Sequence, residues 1–315
     1  MKTIPRPSRV DATGPGGAAG ERALVLGGGG STGNAWLIGI ISGLFDAGLD
    51  VTAADVTIGT SAGATAAAQI AAATPTELFA ATVAAAPQPR SGPAGSPAPA
   101  DGRAPNRPVA DHLERTDRII ASAEDMADMR RRMGAAAIGM DPASDGSWQA
   151  QWRATVASRL PSQRWPQRTV VITAVDAQTG EPVVFDRHSG VDLADAVAAS
   201  CASGRAYRIG DRRYIDGGYR TNADNADLAA GYARVLVLSP FGGRTRTPPE
   251  WGMHLATQVA ELRARGSRVE TIVPDGHAEY LFGVNAMDPS LRPIAARAGH
   301  DHGAAIAERL AGLWR

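Results

Sequence analysis

The sequence predicts an α/β domain with a mostly parallel central sheet, helices on both faces and a helical cap inserted near the middle. Three observations carry that prediction. Short apolar runs of strand length alternate with longer helical patterns, the signature of strand–helix–strand units. Glycine-rich turns follow three of those runs, at Gly27–Gly30, Gly59–Gly63 and Asp216–Gly218. The chain has 315 residues, 44% of them hydrophobic, enough for one large core.

Residues 1–21 are rich in Pro, Gly and Ala, lack the apolar run of a signal peptide, and read as a disordered tail. Ala23-Leu24-Val25-Leu26 reads as a buried parallel strand that runs into Gly27-Gly28-Gly29-Gly30. Trp36, Leu37, Ile40, Ile41, Leu44 and Phe45 then recur at helical spacing, and Gly48 is a fitting cap. Asp55 to Ile58 is the second strand, and Ala62 to Ala73, mostly alanine, the second helix. Residues 87–108, again dense in Pro, Gly and Ala, read as a mobile insertion. Residues 109–165 read as a helical cap region whose Met126, Met129, Trp148, Trp152 and Trp165 either pack onto the core or meet acyl chains. Thr169 to Val175 and Val183 to Phe185 are strands joined by a turn at Gln178-Thr179-Gly180. Arg213 to Ile215, Arg234 to Leu238 and Val269 to Val273 are further strands. A helix with Trp251, Leu255, Val259 and Leu262 on one stripe lies between the last two, and Ala304 to Leu313 closes the chain. The glycine motifs then gather at strand carboxyl ends, where α/β sheets bind ligands.

Each motif has a chemical and a plain reading. A strand, a glycine loop and a helix N-terminus present backbone N–H groups to an anion. Gly28-Gly29-Gly30-Ser31-Thr32-Gly33 also matches the dinucleotide fingerprint, which needs an acidic residue at the end of the next strand. That strand ends in Gly59-Thr60-Ser61, and Asp46 and Asp50 precede it, so a nucleotide is disfavoured. Gly59-Thr60-Ser61-Ala62-Gly63 fits a serine forced outward on a sharp strand-to-helix turn, or merely a helix N-cap. Asp216-Gly217-Gly218 is either a base or a simple turn. Together the three supply an anion hole, a nucleophile and a carboxylate, the parts needed for serine-mediated acyl transfer. An ordinary aspartate, with a pKa near ~3.9, is a weak base, so burial would have to raise it.

In this combination and order, Gly27 to Gly30 with Gly33, Gly59 to Gly63, Ala199-Ser200-Cys201-Ala202, Asp216-Gly217-Gly218, Asn222 to Leu228 and Met287-Asp288-Pro289 are telling. They make the chain resemble the patatin-like phospholipase family of serine acyl hydrolases over about residues 22–312. The resemblance implies a patatin-like fold spanning residues 22–315, with Ser61 as nucleophile and Asp216 as its base in a Ser-Asp dyad. It implies an oxyanion hole at Gly28, Gly29 and Gly30, an acyl-serine intermediate, no cofactor, and a phospholipid, lysophospholipid or related acyl ester as substrate. Thr32 stands where family members usually carry Arg or Lys, and Ser203-Gly204-Arg205 where they usually have a proline. Arg205 and Arg208 are the cations that sequence offers nearby. Two other readings stay open: a non-catalytic lipid- or partner-binding member, and an esterase using His254, His277, His300 or His302, all of which follow Asp216.

Zero formal net charge and a neutral pI give no indication of a nucleic-acid partner. Cys201 is the single cysteine, so an internal disulfide is excluded, and it reads as a small buried residue rather than a nucleophile. His300-Asp301-His302 lacks a third ligand in the sequence nearby, so no metal is expected. No apolar run nears the ~20 residues that span a bilayer. The expectation is a cytoplasmic enzyme in transient contact with a membrane surface, with Arg130-Arg131-Arg132 either a solvated helix face or a headgroup contact. Oligomeric state is not set by the sequence.

Overall fold

The computed structural model describes residues 20–84, 107–140 and 146–315. The expected tail therefore lies outside the described residues up to position 19, and the expected insertion from 87 to 106. Among the described residues, eight strands form one sheet: β1 (Arg22–Leu26), β2 (Val56–Gly59), β3 (Thr169–Asp176), β4 (Pro182–Phe185), β5 (Tyr207–Ile209), β6 (Arg212–Asp216), β7 (Arg234–Leu238) and β8 (Arg268–Ile272). The helices are α1 (Gly30–Asp46), α2 (Ala62–Ile70), α3 (Pro75–Ala84), α4 (Arg107–Ser122), α5 (Met126–Gly139), α6 (Ser147–Ala157), α7 (Leu193–Ser200), α8 (Leu255–Ala264) and α9 (Arg292–Trp314).

The strand order is β5-β6-β3-β2-β1-β7-β8, with β4 paired to β3. The four ladders joining β3, β2, β1, β7 and β8 are parallel, and those of β4, β5 and β6 are antiparallel. Alternation along β1 separates two layers. Leu24 and Leu26 face a core built with α1, α2, α7 and α9, whereas Ala23 and Val25 face Leu255, Val259 and Leu262 of α8. The mostly parallel sheet covered on both faces is thus present.

The register of β3 places the site. Gly59 at the end of β2 lies opposite Ile172, and Asp216 at the end of the antiparallel β6 lies opposite Ala174. One strand arrives from below and the other from above, and they meet end to end along the same side of β3, with β4 on its other side. The sequence reading put Asp216 at a strand's carboxyl end, which holds; the direction of that strand needed long-range pairing to define it.

The second helix ends at Ile70 rather than Ala73, and two other elements differ more from the sequence reading. The last helix begins at Arg292 rather than Ala304, because Gly299 and Gly303 are contact surfaces, not breaks. A Cβ on Gly39 or Gly43 would stand 2.1 Å from carbonyl oxygens of α9, and one on Gly299 or Gly303 2.4 Å from carbonyl oxygens of α1. The two helices therefore cross backbone to backbone, and α1 is buried along nearly its whole length. Trp251 belongs to a short 3-10 turn before α8 rather than to its stripe.

The helices of residues 109–165 pack against the body of the domain. Met126, Met129 and Met133 of α5 are buried against Val175 and Ile215, and Trp152 Nε1 donates to Ala198 O of α7 at 3.0 Å. The chain breaks between α4 and α5 at Asp125, whose carboxylate caps α5 by accepting from Asp128 N at 2.7 Å. Arg130 donates to Gly180 O and Arg220 O, while Arg131 and Arg132 pair with Asp128, so this triplet is occupied within the fold. Among the described residues, no helix is long and apolar enough to cross a membrane.

Candidate active site

Ser61 sits on a backbone that only a tightly packed turn sustains. Its φ of 53° and ψ of −112° make it one of two described non-glycine residues with positive φ. The flanking glycines have a steric cause: a Cβ on Gly63 would stand 1.9 Å from Leu26 O, and one on Gly59 2.7 Å from Ala64 Cα. The Ser61 side chain makes no capping bond to α2, which removes the plain N-cap reading. Instead Ser61 Oγ donates to Asp216 Oδ2 at 2.8 Å.

Asp216 is 7% exposed, and its other oxygen accepts from Gly218 N at 2.8 Å. Burial pushes its pKa up from 3.8 to about 6, against the two hydrogen bonds, which pull it down. A carboxyl in this range is ionised at neutral pH and still a useful proton acceptor.

The Ala199–Ala202 stretch clamps the Ser61 backbone. Ser61 N donates to the fully buried Ser200 Oγ at 2.9 Å, and Cys201 Sγ donates to Ser61 O at 3.1 Å. Burial pushes the Cys201 thiol up to about 12, with Asp216 adding to the shift, so this cysteine is an inert packing residue. The stretch was visible as a motif, but its role as a backbone clamp was not.

The glycine loop lies beside Ser61. The nearest atoms to a Cβ built on Gly28 include Ser61 Cβ at 3.6 Å. Gly28 N donates to Ala223 O at 2.8 Å, so that N–H ties the loop to the segment following Asp216. Among the described residues, the N–H groups of Gly29 and Gly30, at the start of α1, have no acceptor. Thr32, fully buried, anchors the loop: its Oγ1 donates to Leu281 O at 2.8 Å and its N to Ala286 O at 3.0 Å.

The cation beside the loop comes from neither Arg205 nor Arg208. Arg205 lies over the Trp148 ring, and Arg208 N is bonded to Gln149. Arg292, at the start of α9, donates to Ser31 O at 2.7 Å and Asn34 Oδ1 at 3.0 Å. Burial, aided by the charge of Arg159, holds its pKa down at about 10, so it remains a cation at neutral pH. No local signal marks Arg292, which is 261 residues from its partner Ser31.

No histidine ring bonds to Ser61 or Asp216 in the contacts of the described residues. His254 Nε2 pairs with Thr247 O, and His300 pairs with Asp46 and stacks on Phe79. Met287, of the Met287-Asp288-Pro289 motif, lies beside Gly30: a Cβ there would be 2.9 Å from its Sδ. Tyr280, Val284 and Met287 are each more than half exposed on this flank.

A family model described as patatin-like phospholipase matches residues 24–229, which span the glycine loop, Ser61 and Asp216. The chain belongs to the patatin-like phospholipase family, a family of lipid acyl hydrolases. Among solved structures, it is similar to VipD from Legionella pneumophila at 11% identity and a TM-score of 0.38, covering 94% of this chain and 70% of that one. No curated protein matches it.

Proposed function

We propose that the chain hydrolyses carboxylic ester bonds of phospholipids, lysophospholipids or related acyl esters through an acyl-Ser61 intermediate. The 2.8 Å bond between Ser61 Oγ and the buried Asp216 is the observation that carries this reading. Asp216 Oδ2 takes the Ser61 proton as Oγ attacks the acyl carbonyl, then returns it to the departing alcohol. Water activated by the same carboxylate hydrolyses the acyl-serine. The oxyanion is held by Gly29 N–H and Gly30 N–H at the positive end of α1. Gly28 keeps the surface beside Ser61 free of a side chain while its own N–H tethers the loop. The exposed apolar flank of Tyr280, Val284 and Met287 suits the acyl chain and a transient contact with a lipid surface.

The test is hydrolysis of p-nitrophenyl esters of graded chain length by wild type, Ser61→Ala and Asp216→Asn. The proposal requires activity in wild type and its loss in both variants with circular dichroism unchanged. Full activity in Ser61→Ala would refute it.

A further inference from the structure

We propose that Asn225 is a positioning residue for Ser61 and Asp216, its one buried amide fixing the turn before the nucleophile and the peptide plane after the base. The inference rests on the dyad reading above. Asn225 is fully buried and is the other described non-glycine residue with positive φ, at 55°. Asparagine is among the few non-glycine residues that adopt this left-handed conformation readily, so the backbone accepts it here at little cost. Its Nδ2 donates to Thr60 Oγ1 at 2.9 Å and to Gly217 O at 2.9 Å. Its Oδ1 accepts from Thr221 Oγ1 at 2.8 Å and Arg220 NH1 at 3.2 Å. Since a carbonyl can only accept and a guanidinium only donate, these partners fix which end of the amide is nitrogen. The donors and acceptors of the amide are all used.

The two donor bonds reach both halves of the dyad. Thr60 immediately precedes Ser61, and its hydroxyl also accepts from Thr173 Oγ1, on the β3 strand with which both halves pair, at 2.9 Å. Gly217 O and Gly218 N belong to one planar peptide. Asn225 holds the carbonyl end of that plane, and the N–H end donates to Asp216 Oδ1. Thr173 backs the same plane, since a Cβ on Gly217 would lie 2.1 Å from its Oγ1. Removing the amide leaves that carbonyl only the longer 3.1 Å bond from Arg220 N, which loosens the plane and weakens the Gly218 bond that stabilises the ionised carboxylate. The other groups facing Asp216 are Ser61, the Cys201 thiol and the Tyr219 hydroxyl, the last two neutral at working pH because burial raises both. Arg220 pairs with Asp227, and the Gly217–Gly218 plane is the link from Asn225 to the base.

The experiment is the pH dependence of p-nitrophenyl ester hydrolysis by wild type, Asn225→Gly and Thr60→Val, with Ser61→Ala as control. Glycine suits positive φ, so Asn225→Gly removes the amide without adding backbone strain. A carboxylate with two or three N–H donors sits about two units below an ordinary one, so losing one donor raises the acid midpoint by roughly one pH unit. At one pH unit below the wild-type midpoint the rate then falls a further ~10-fold, in kcat rather than KM. Thr60→Val breaks the serine-side bonds from Asn225 and Thr173 and leaves the midpoint in place. Where turnover is too slow, the rate of fluorophosphonate inactivation against pH reads the same midpoint. Asn225→Ala, uncharged and likewise without the amide, is the second variant should the glycine variant not fold. A Ser61-dependent wild type with an unmoved midpoint in the folded Asn225 variant overturns the Asn225 role and leaves the dyad standing. A rate that persists in Ser61→Ala overturns both.

Discussion

Asp216→Asn should abolish turnover and yet make the protein more stable at neutral pH. The carboxyl is 7% exposed, and its pKa rises from 3.8 to about 6 on folding. Ionising it in the folded state therefore costs about 3 kcal/mol relative to the unfolded chain. Because the folded pKa lies above the unfolded one, this penalty is full above about pH 6, shrinks as pH falls towards 4, and is absent below that. Asparagine is uncharged, keeps an acceptor for Gly218 N and presents its NH2 to Ser61 Oγ. Urea denaturation at pH 8 should show the variant more stable by up to about 3 kcal/mol, with the gap closing near pH 4. Ester hydrolysis should fall by ~10²–10⁴-fold, the usual worth of a general base. Wild-type activity should fall on the acid side with a midpoint near 6, where Asp216 takes up its proton. A variant less stable than wild type at pH 8, by an amount independent of pH, would refute the argument that Asp216 is held ionised at a cost.

Three further outcomes follow from the same physics. Asp224 is buried with Oδ1 unpartnered, and burial pushes its pKa to about 7, so Asp224→Asn should raise urea stability at pH 8 and make no difference near pH 4. The Cys201 thiol, half-buried and pushed up to about 12, should react slowly with a disulfide reagent in native protein at pH 8 and fully in urea; rapid native labelling would contradict its raised pKa. Gly39→Ala inserts a methyl 2.1 Å from Ala296 O, which should lower stability by more than ~2 kcal/mol by forcing α1 from α9; a melting temperature unchanged from wild type would show that the helices separate easily.

The loops of the site were legible because each is a short strand followed by small residues, and the steric demand falls on those residues. Gly59 and Gly63 admit Ser61 to its strained turn, and Gly28 leaves room beside it. What the sequence hid depends on contacts between distant segments. Arg292 meets Ser31 with nothing local to announce it, while Ser200 and Asn225 lie in visible motifs whose contacts with Ser61 N and Thr60 the sequence did not show. Gly299 and Gly303 look like helix breaks until α1 supplies the backbone they pack against. The antiparallel course of β6 was hidden for the same reason: its direction is set by pairing with β3, not by its own residues. Thr32 likewise reads as a lost cation, whereas its hydroxyl anchors the loop to Leu281 O.

The most direct test of the Ser61–Asp216 pair is covalent labelling. Wild type is treated with a fluorophosphonate at pH 7.5, and the adduct is located by peptide mass spectrometry. The account predicts a single adduct on Ser61, formed slowly or not at all in Asp216→Asn and absent from Ser61→Ala. Equal labelling of wild type and Asp216→Asn, or an adduct on a serine other than Ser61, would contradict it.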